Sequence, residues 1–360
     1  MRRPGARRER ERERGAALLL VVLLIALLSV LVVEFQREAW VEARTSESLR
    51  DDLQAHAVLR SGSQLSVQVL AVYSKNSFAD MKLALEKMTE AKILWDLFFS
   101  DDWVSFPVPA GADEAFVPMS ARMVDLCGKF PVGAIEANPQ TAVVRLQAFK
   151  EYVTALKEYL SDRGNVALEA LQPDEFAQAV SEQLKSAGDP KKPLRDLSDL
   201  QEVDGVTPEM VAALSPYLDT RVDWKFSVNG LTVPMIMTML GKSVEEAQEI
   251  RGNLQETPLD NANQIASSPL SARNATLYPP ASLITKSEGF ELFLEADVRG
   301  VLRRTRAVYR KDANSPQGRF KADGWVEGWV TGWPAKTETA PKPSPSPESD
   351  RSEGADRFDL

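Results

Sequence analysis

The chain has 360 residues, 44% apolar and 26% charged, enough for two ordinary domains with a substantial core, which excludes wholesale disorder. The formal charge of −9 is unevenly divided: residues 1–15 hold seven arginines against three glutamates, so +4 sits there and −13 on everything after Gly15. A body this acidic repels phosphate backbones and excludes nucleic acid as a partner, while one cysteine (Cys127) and one histidine (His56) exclude an internal disulfide and any ordinary His-based metal site.

The first element is an eighteen-residue run from Ala16 to Val33 with Ser29 its one hydroxyl and no charge. As a helix it rises about 27 Å, close to the hydrocarbon thickness of a bilayer. A removable secretory signal has a shorter apolar region followed by small residues. Here Glu34, Phe35, Gln36 and Arg37 follow instead, so simple removal by signal peptidase is not expected. Leu20, Leu24 and Leu28 are expected to be anchor residues within the span. The positive-inside rule holds the arginines in the cytoplasm and puts the acidic bulk outside. The expected arrangement is a single-pass anchor with an exported acidic domain.

Beyond the span, Phe35, Ala39, Ala43, Leu49, Leu53 and Ala57 recur at helical spacing, and no proline lies between Gly15 and Pro107. The pattern predicts a long stem helix punctuated near "SKNS". Residues 100–138, with Pro107, Pro109 and Pro118 and turns at "PAGAD" and "CGK", predict short strands.

Residues 139–260 form a helical block. Val144, Leu146, Phe149, Val153, Leu156 and Leu160 share one side of a helix that Gly164 should stop. Thr207 followed by Pro208, Thr232 followed by Pro234, and Ser243 read as helix starts, with a tight turn at Gly205. The turn resembles phosphate-binding helix-hairpin-helix modules. However, Asp196, Asp199, Glu202, Asp204, Glu209 and Asp219 surround it, and Arg195 is the nearest cation, so a packing role is expected.

The last ordered part is strand. Phe290, Leu292, Leu294, Ala296 and Val298 alternate along one face, the chain turns at Arg299–Gly300, and Arg303, Arg304 and Arg306 return beside Glu291, Glu295 and Asp297. "GWVEGWVTGW" then places Trp325, Trp329 and Trp333 on one side of a further strand, expected to pack the sheet onto the stem. From Pro334 the Pro/Ser/Glu-rich composition predicts a disordered tail.

The junction "RERERG" before "AALLL" resembles the leader of pilins and pseudopilins, in which a prepilin peptidase cuts after the glycine and the apolar helix is kept. The resemblance makes Gly15 the residue before the cut and Ala16 the new N-terminus. Most of that family carry Glu at the fifth mature position. Leu20 stands there instead, as in the K-type minor pseudopilins of type II secretion. Three internal stretches resemble the same family. Asp125, Gly128, Lys129, Phe130 and Pro131 match its "D-x-x-GKF" segment, with Gly133 near where an Asn is usual. "DLSDLQEVDGVTPEMVAALSPYLDT" resembles its helical insertion. Asn229, Thr232 and Pro234 match a third motif in which Leu231 replaces a second Asn.

This resemblance implies an α+β pseudopilin fold: an N-terminal transmembrane and stem helix packed on a small antiparallel sheet, with a large inserted all-helical domain. It divides the chain into a cleaved leader (1–15), a transmembrane helix (16–33), stem and first core part (34–138), inserted helical domain (139–260), C-terminal strands (261–333) and tail (334–360). It implies a non-enzymatic protein at the pseudopilus tip, starting assembly and supporting export, with I- and J-type minor pseudopilins, prepilin peptidase and the inner membrane as partners. A type IV pilus or competence minor pilin, or a general membrane-anchored periplasmic binding protein, are the alternatives.

No Gly-rich phosphate loop, HExxH or CxxC occurs, and no carboxylate spacing singles out an acid/base pair, so no catalytic residues are expected. Calcium is the one metal worth weighing, since it takes loop oxygens. "ETPLDNANQ" gathers Glu256, Asp260, Asn261 and Asn263, and the K-type resemblance implies calcium in loops joining the insertion to the core.

Overall fold

The computed structural model describes residues 5–81, 96–98, 103–109, 116–187, 194–312 and 319–327, with the side chains of residues 5–20, 106, 109, 116, 325 and 327 excepted. Trp329, Trp333 and the tail expected from Pro334 onward lie outside the described residues. The chain divides into two compact units. One comprises Met1–Gly62, Pro107–Met119 and Glu295–Arg303, and the other Ser63–Phe106, Ser120–Leu294 and Arg304–Leu360.

Helix α1 runs from Gly5 to Lys75. Its hydroxyls do not interrupt it because they turn back on the helix: Ser29, Thr45 and Ser61 donate to the carbonyls of Ile25, Val41 and Ala57 at 2.8–2.9 Å. Within the first unit, Arg299 pairs with Asp51 at 3.5 Å and Arg303 with Asp52. Arg303 thus has a stem carboxylate as a partner. The helix stops where expected: Asn76 is a bend, Ser77 Oγ accepts from Asp80 N at 3.0 Å, and helix resumes at Phe78.

The strands are β1 (Val104–Pro109), β2 (Phe116–Asp125), β3 (Phe130–Pro131), β4 (Leu218–Asp219), β5 (Phe226–Ser227), β6 (Leu283–Ile284), β7 (Gly289–Val298), β8 (Val301–Lys311) and β9 (Phe320–Glu327). Five form a sheet in the order β1-β2-β7-β8-β9, while β3-β4 and β5-β6 are short parallel pairs. The β7–β8 turn falls at Arg299–Gly300, as the sequence predicts. Both residues have positive φ (51° and 88°), the conformation a two-residue hairpin turn demands. Gly300 N donates to Asp297 Oδ1 at 2.9 Å, so Asp297 serves the turn. The antiparallel β8–β9 ladder pairs Ala307 with Trp325 and shifts register at Val308/Tyr309.

The one-face reading of β7 is incomplete. Its apolar residues are buried as expected, but Glu291, Phe293 and Glu295 on the opposite face are buried too. Ionic partners described below make an inward carboxylate tolerable at position 291.

From residue 142 onward the described α-helices of the second unit are α2 (Ala142–Asp162), α3 (Pro173–Ser186), α4 (Pro208–Leu214), α5 (Val233–Leu240), α6 (Val244–Glu256) and α7 (Ala262–Ala266). Their starts follow the sequence signals. Thr207 accepts from Met210 N, and Ser243 forms a reciprocal capping box with Glu246. Thr232 precedes α5 without a side-chain cap bond. Helix α2 buries Phe149, Val153, Leu156 and Leu160, with Val144 and Leu146 partly covered, and also Tyr152 and Tyr159. Tyr152 is accommodated because its hydroxyl donates to Tyr217 O at 2.8 Å. Phe130, fully buried, centres an aromatic cluster with ring centroids 5.1 Å from Phe149, 4.8 Å from Tyr152 and 5.4 Å from Trp224.

The segment after β2 is held by contacts that admit no side chain. A Cβ on Gly128 would stand 1.7 Å from Gly230 O, and one on Gly230 would stand 2.0 Å from Asp125 Oδ2. Gly133, where the family pattern has Asn nearby, is equally confined: its Cβ would meet Thr220 O at 2.2 Å. Thr232 N donates to Gly128 O at 3.3 Å across the same contact. Gly128→Ala is expected to destabilise the chain by about 3 kcal/mol or more, since backbone cannot yield as a side chain does. Gly252→Ala, inside α6 with open space around it, should be neutral or stabilise by about 0.5–1 kcal/mol. Urea-unfolding midpoints of the two variants check this contrast.

Candidate functional site

The sequence motif Asp125–Pro131 and the motif around Asn229 meet in space. Asp125 Oδ1 accepts from Cys127 N at 2.7 Å and from Ser287 Oγ, while Ser287 N donates to Tyr73 Oη at 2.8 Å. Burial pushes the Asp125 carboxyl up, against the opposing effect of these hydrogen bonds. It also pushes the Cys127 thiol up and the Tyr73 phenol well up, so neither is poised as a nucleophile.

Asn229, 4% exposed, is saturated. Its Nδ2 donates to Leu259 O (2.9 Å) and Thr285 O (2.8 Å), its Oδ1 accepts from Leu259 N (2.8 Å), and its carbonyl accepts from Arg251 Nη1 (3.0 Å). One amide thus ties the loop after α6 to the segment before β7. The family motif marks this residue, but its clamping role is visible only in three dimensions.

Lys129, between two motif residues, is 4% exposed, and its Nζ stands 2.9 Å from Glu291 Oε2 and 3.3 Å from Ser215 O. Arg306 Nε donates to the other Glu291 oxygen, as the hairpin register predicts. Arg221 Nη2 donates to Lys129 O at 2.9 Å and its Nε faces Asp219 at 3.3 Å. Burial alone would raise the Glu291 carboxyl, but Lys129 and Arg306 outweigh it and hold it below its ordinary range. The sequence marks Lys129 as a motif residue and sets Arg306 beside Glu291, but that Lys129 meets Glu291, 162 residues on, is not legible in it.

Gly15 and Ala16 lie inside the helical span of α1, and no break marks the expected cleavage junction. The Leu20 side chain lies outside the described residues, while Leu24 and Leu28 are about half exposed (52% and 51%). Among the described residues no helix is long and apolar enough to cross a membrane. Described side chains begin at Val21, so the run from Ala16 is covered only in part.

The four calcium candidates serve other ends in this structure or stand at the surface. Asp260 accepts from Phe78 N and Ala79 N, capping the helix that follows α1. Asn261 caps α7 through Gln264 N at 3.1 Å, and Glu256 and Asn263 are exposed. Calcium takes six to eight oxygens. Among the described residues no group of three or more His, Cys, Asp or Glu could hold a metal.

Two predictions follow the geometry. Glu291→Gln leaves the buried Lys129 and the partly buried Arg306 without a counter-charge and should cost about 3–5 kcal/mol at neutral pH. Because the folded carboxyl titrates below its ordinary value of 4.5, its stabilisation is present above that pH and is lost as pH falls through the folded value. The acid limb of the stability curve should therefore be shallower in the variant, as chemical denaturation from pH 7 downward would reveal. Asp260→Ala should cost about 0.5–2 kcal/mol, the loss of a cap, equally with and without millimolar calcium in thermal melts.

No protein-family model matches the chain, and no curated protein matches it. Among solved structures it is similar to the crystal structure of the GspK–GspI–GspJ complex from the enterotoxigenic Escherichia coli type 2 secretion system. The match has 17% identity and a TM-score of 0.51, and covers 79% of this chain and 99% of the matched chain. The likeness is one of fold: the chain has a pseudopilin-like α+β architecture with a long N-terminal helix and an antiparallel sheet.

Proposed function

We propose that this chain is a K-type minor pseudopilin, a non-enzymatic subunit at the tip of a type II secretion pseudopilus that starts its assembly and supports export across the outer membrane. The observation that carries the reading is the fold shared with a chain of a pseudopilin complex over nearly all of that chain's length. The Gly128–Gly230 contact supports it, because it joins two of the motifs that resemble the K-type family.

In this reading prepilin peptidase removes residues 1–15, and Ala16–Val33 stays in the inner membrane with the acidic bulk in the periplasm. I- and J-type minor pseudopilins are the partners. Leu20 at the fifth mature position suits a subunit at the front of a fibre. No neighbour's amine lies ahead to neutralise a glutamate, and an unpaired carboxylate in lipid costs several kcal/mol.

Intact mass measurement of the protein purified from membranes tests this: a mature chain beginning at Ala16 is expected. A chain retaining Met1, or one starting beyond Val33, contradicts the proposal. Co-purification with I- and J-type pseudopilins rather than type IV pilus subunits assigns the system.

A further inference from the structure

A cavity of about 270 Å³ within the second unit is lined by β8 and β9 on one side and by the chain around Arg195–Ser198 and Leu218–Thr220 on the other. Its apolar lining comes from Leu126, Leu197, Val211, Leu218, Val308 and Val326. Position 324 is a glycine opposite Val308, so no side chain fills the space there. The volume is near the lower end of those that hold ligands, about 300 Å³.

The charged lining has an asymmetry that formal charge conceals. Each of its carboxylates already has a protein partner. Glu291 is held by Lys129 and Arg306, and Asp196 accepts from Ser198 N at 3.1 Å. Asp219 accepts from Thr220 N at 3.0 Å and faces Arg221, and Asp323 accepts from Arg310 Nε at 3.0 Å. The arginines are not used up in the same way. A guanidinium carries five N–H donors in a planar fork. Arg306 uses its Nε on Glu291. Arg310 uses its Nε on Asp323 and has only a 4.0 Å approach from Nη2 to Asp219. Arg195 is exposed, and its side chain makes no hydrogen bond or ion pair among the described residues. Asp219 Oδ2 accepts no hydrogen bond among the described residues, but the unused guanidinium donors of Arg195 and Arg310 stand beside the apolar floor.

We propose that this cavity docks an extended acidic peptide segment, a carboxylate side chain meeting Arg195 and Arg310 while a neighbouring aliphatic side chain enters the apolar floor. Charge complementarity selects the carboxylate, and charge-assisted contacts to arginine are the stronger class of hydrogen bond. The apolar floor and the sheet edge select a peptide over a free anion. Strand β9 stands last in the sheet order of the described strands, and its Asp323, Gly324 and Val326 line the cavity. An added strand there would direct alternate side chains inward. This site does not depend on the pseudopilin reading, and the two can fail separately.

The test uses the full chain purified in detergent and a fluorophore-labelled, end-blocked hexapeptide, Ala-Leu-Asp-Val-Asp-Ala, with its Asn-for-Asp and Ala-for-Leu/Val counterparts. Fluorescence anisotropy should show the acidic peptide binding about tenfold or more tighter than either counterpart. Arg195→Ala should weaken it about tenfold with unchanged circular dichroism and melting, and Arg310→Gln should do the same. Equal affinity for the Asp and Asn peptides, no binding at all, or an unaffected Arg195→Ala variant overturns the proposal. Equal affinity for the acidic and Ala-for-Leu/Val peptides, with full displacement by millimolar sulfate, also overturns it by showing an anion site only.

Discussion

The architecture of the second unit depends on a backbone-to-backbone approach that only glycine permits. Gly128 and Gly230 stand so close that neither position could carry a methyl group, and Asp125 closes the contact from the side. Residues from the end of β2 are thereby set against the turn before α5, and the neighbouring interactions follow. Thr232 N reaches Gly128 O, Asn229 reaches the loops at 259 and 285, and Phe130 is delivered into the aromatic cluster. Dispersion forces and buried area then favour an arrangement whose register steric exclusion has already selected.

Polar groups in this interior are placed for specificity more than for raw stability. An ion triad taken out of water returns little net free energy compared with an apolar replacement, whereas breaking it is costly. Lys129, Glu291 and Arg306 therefore act as a keyed joint between the segment after β2 and the hairpin of β7 and β8. Asp125 is partly buried and Glu291 buried, and their acidities move in opposite directions. Burial raises both, and the sign differs because two cations touch Glu291 whereas Asp125 has neutral hydrogen-bond donors with Arg221 as a lesser charge partner.

Local signals in the chain were readable where local physics controls them. The Arg299–Gly300 turn, the caps at Thr207 and Ser243 and the break after Lys75 depend on residues within a few positions of one another, and all appear where expected. Long-range partnerships were not readable in the same way. Arg303 finds a carboxylate on α1 251 residues away in sequence, and Lys129 finds Glu291 across 162. Charge patterning on a strand offers several equivalent partners, and only the folded chain chooses among them. The calcium candidates illustrate the same limit. Asp260 and Asn261 have the right side chains for a cation, but the same oxygens cap helices, and composition cannot distinguish these uses. Gly133 shows the converse: a glycine with no local turn signal is required by the Thr220 carbonyl beside it.

The end of α1 is secured from outside the helix. Asn76 O accepts from Lys286 Nζ, Phe78 N donates to Asp260, and Tyr73 Oη accepts from Ser287 N. Three attachments within one and a half turns couple the helix terminus to the segments around 260 and 286. A tensile load reaching the end of the helix would be divided among three attachments, so the joint would not depend on one bond alone.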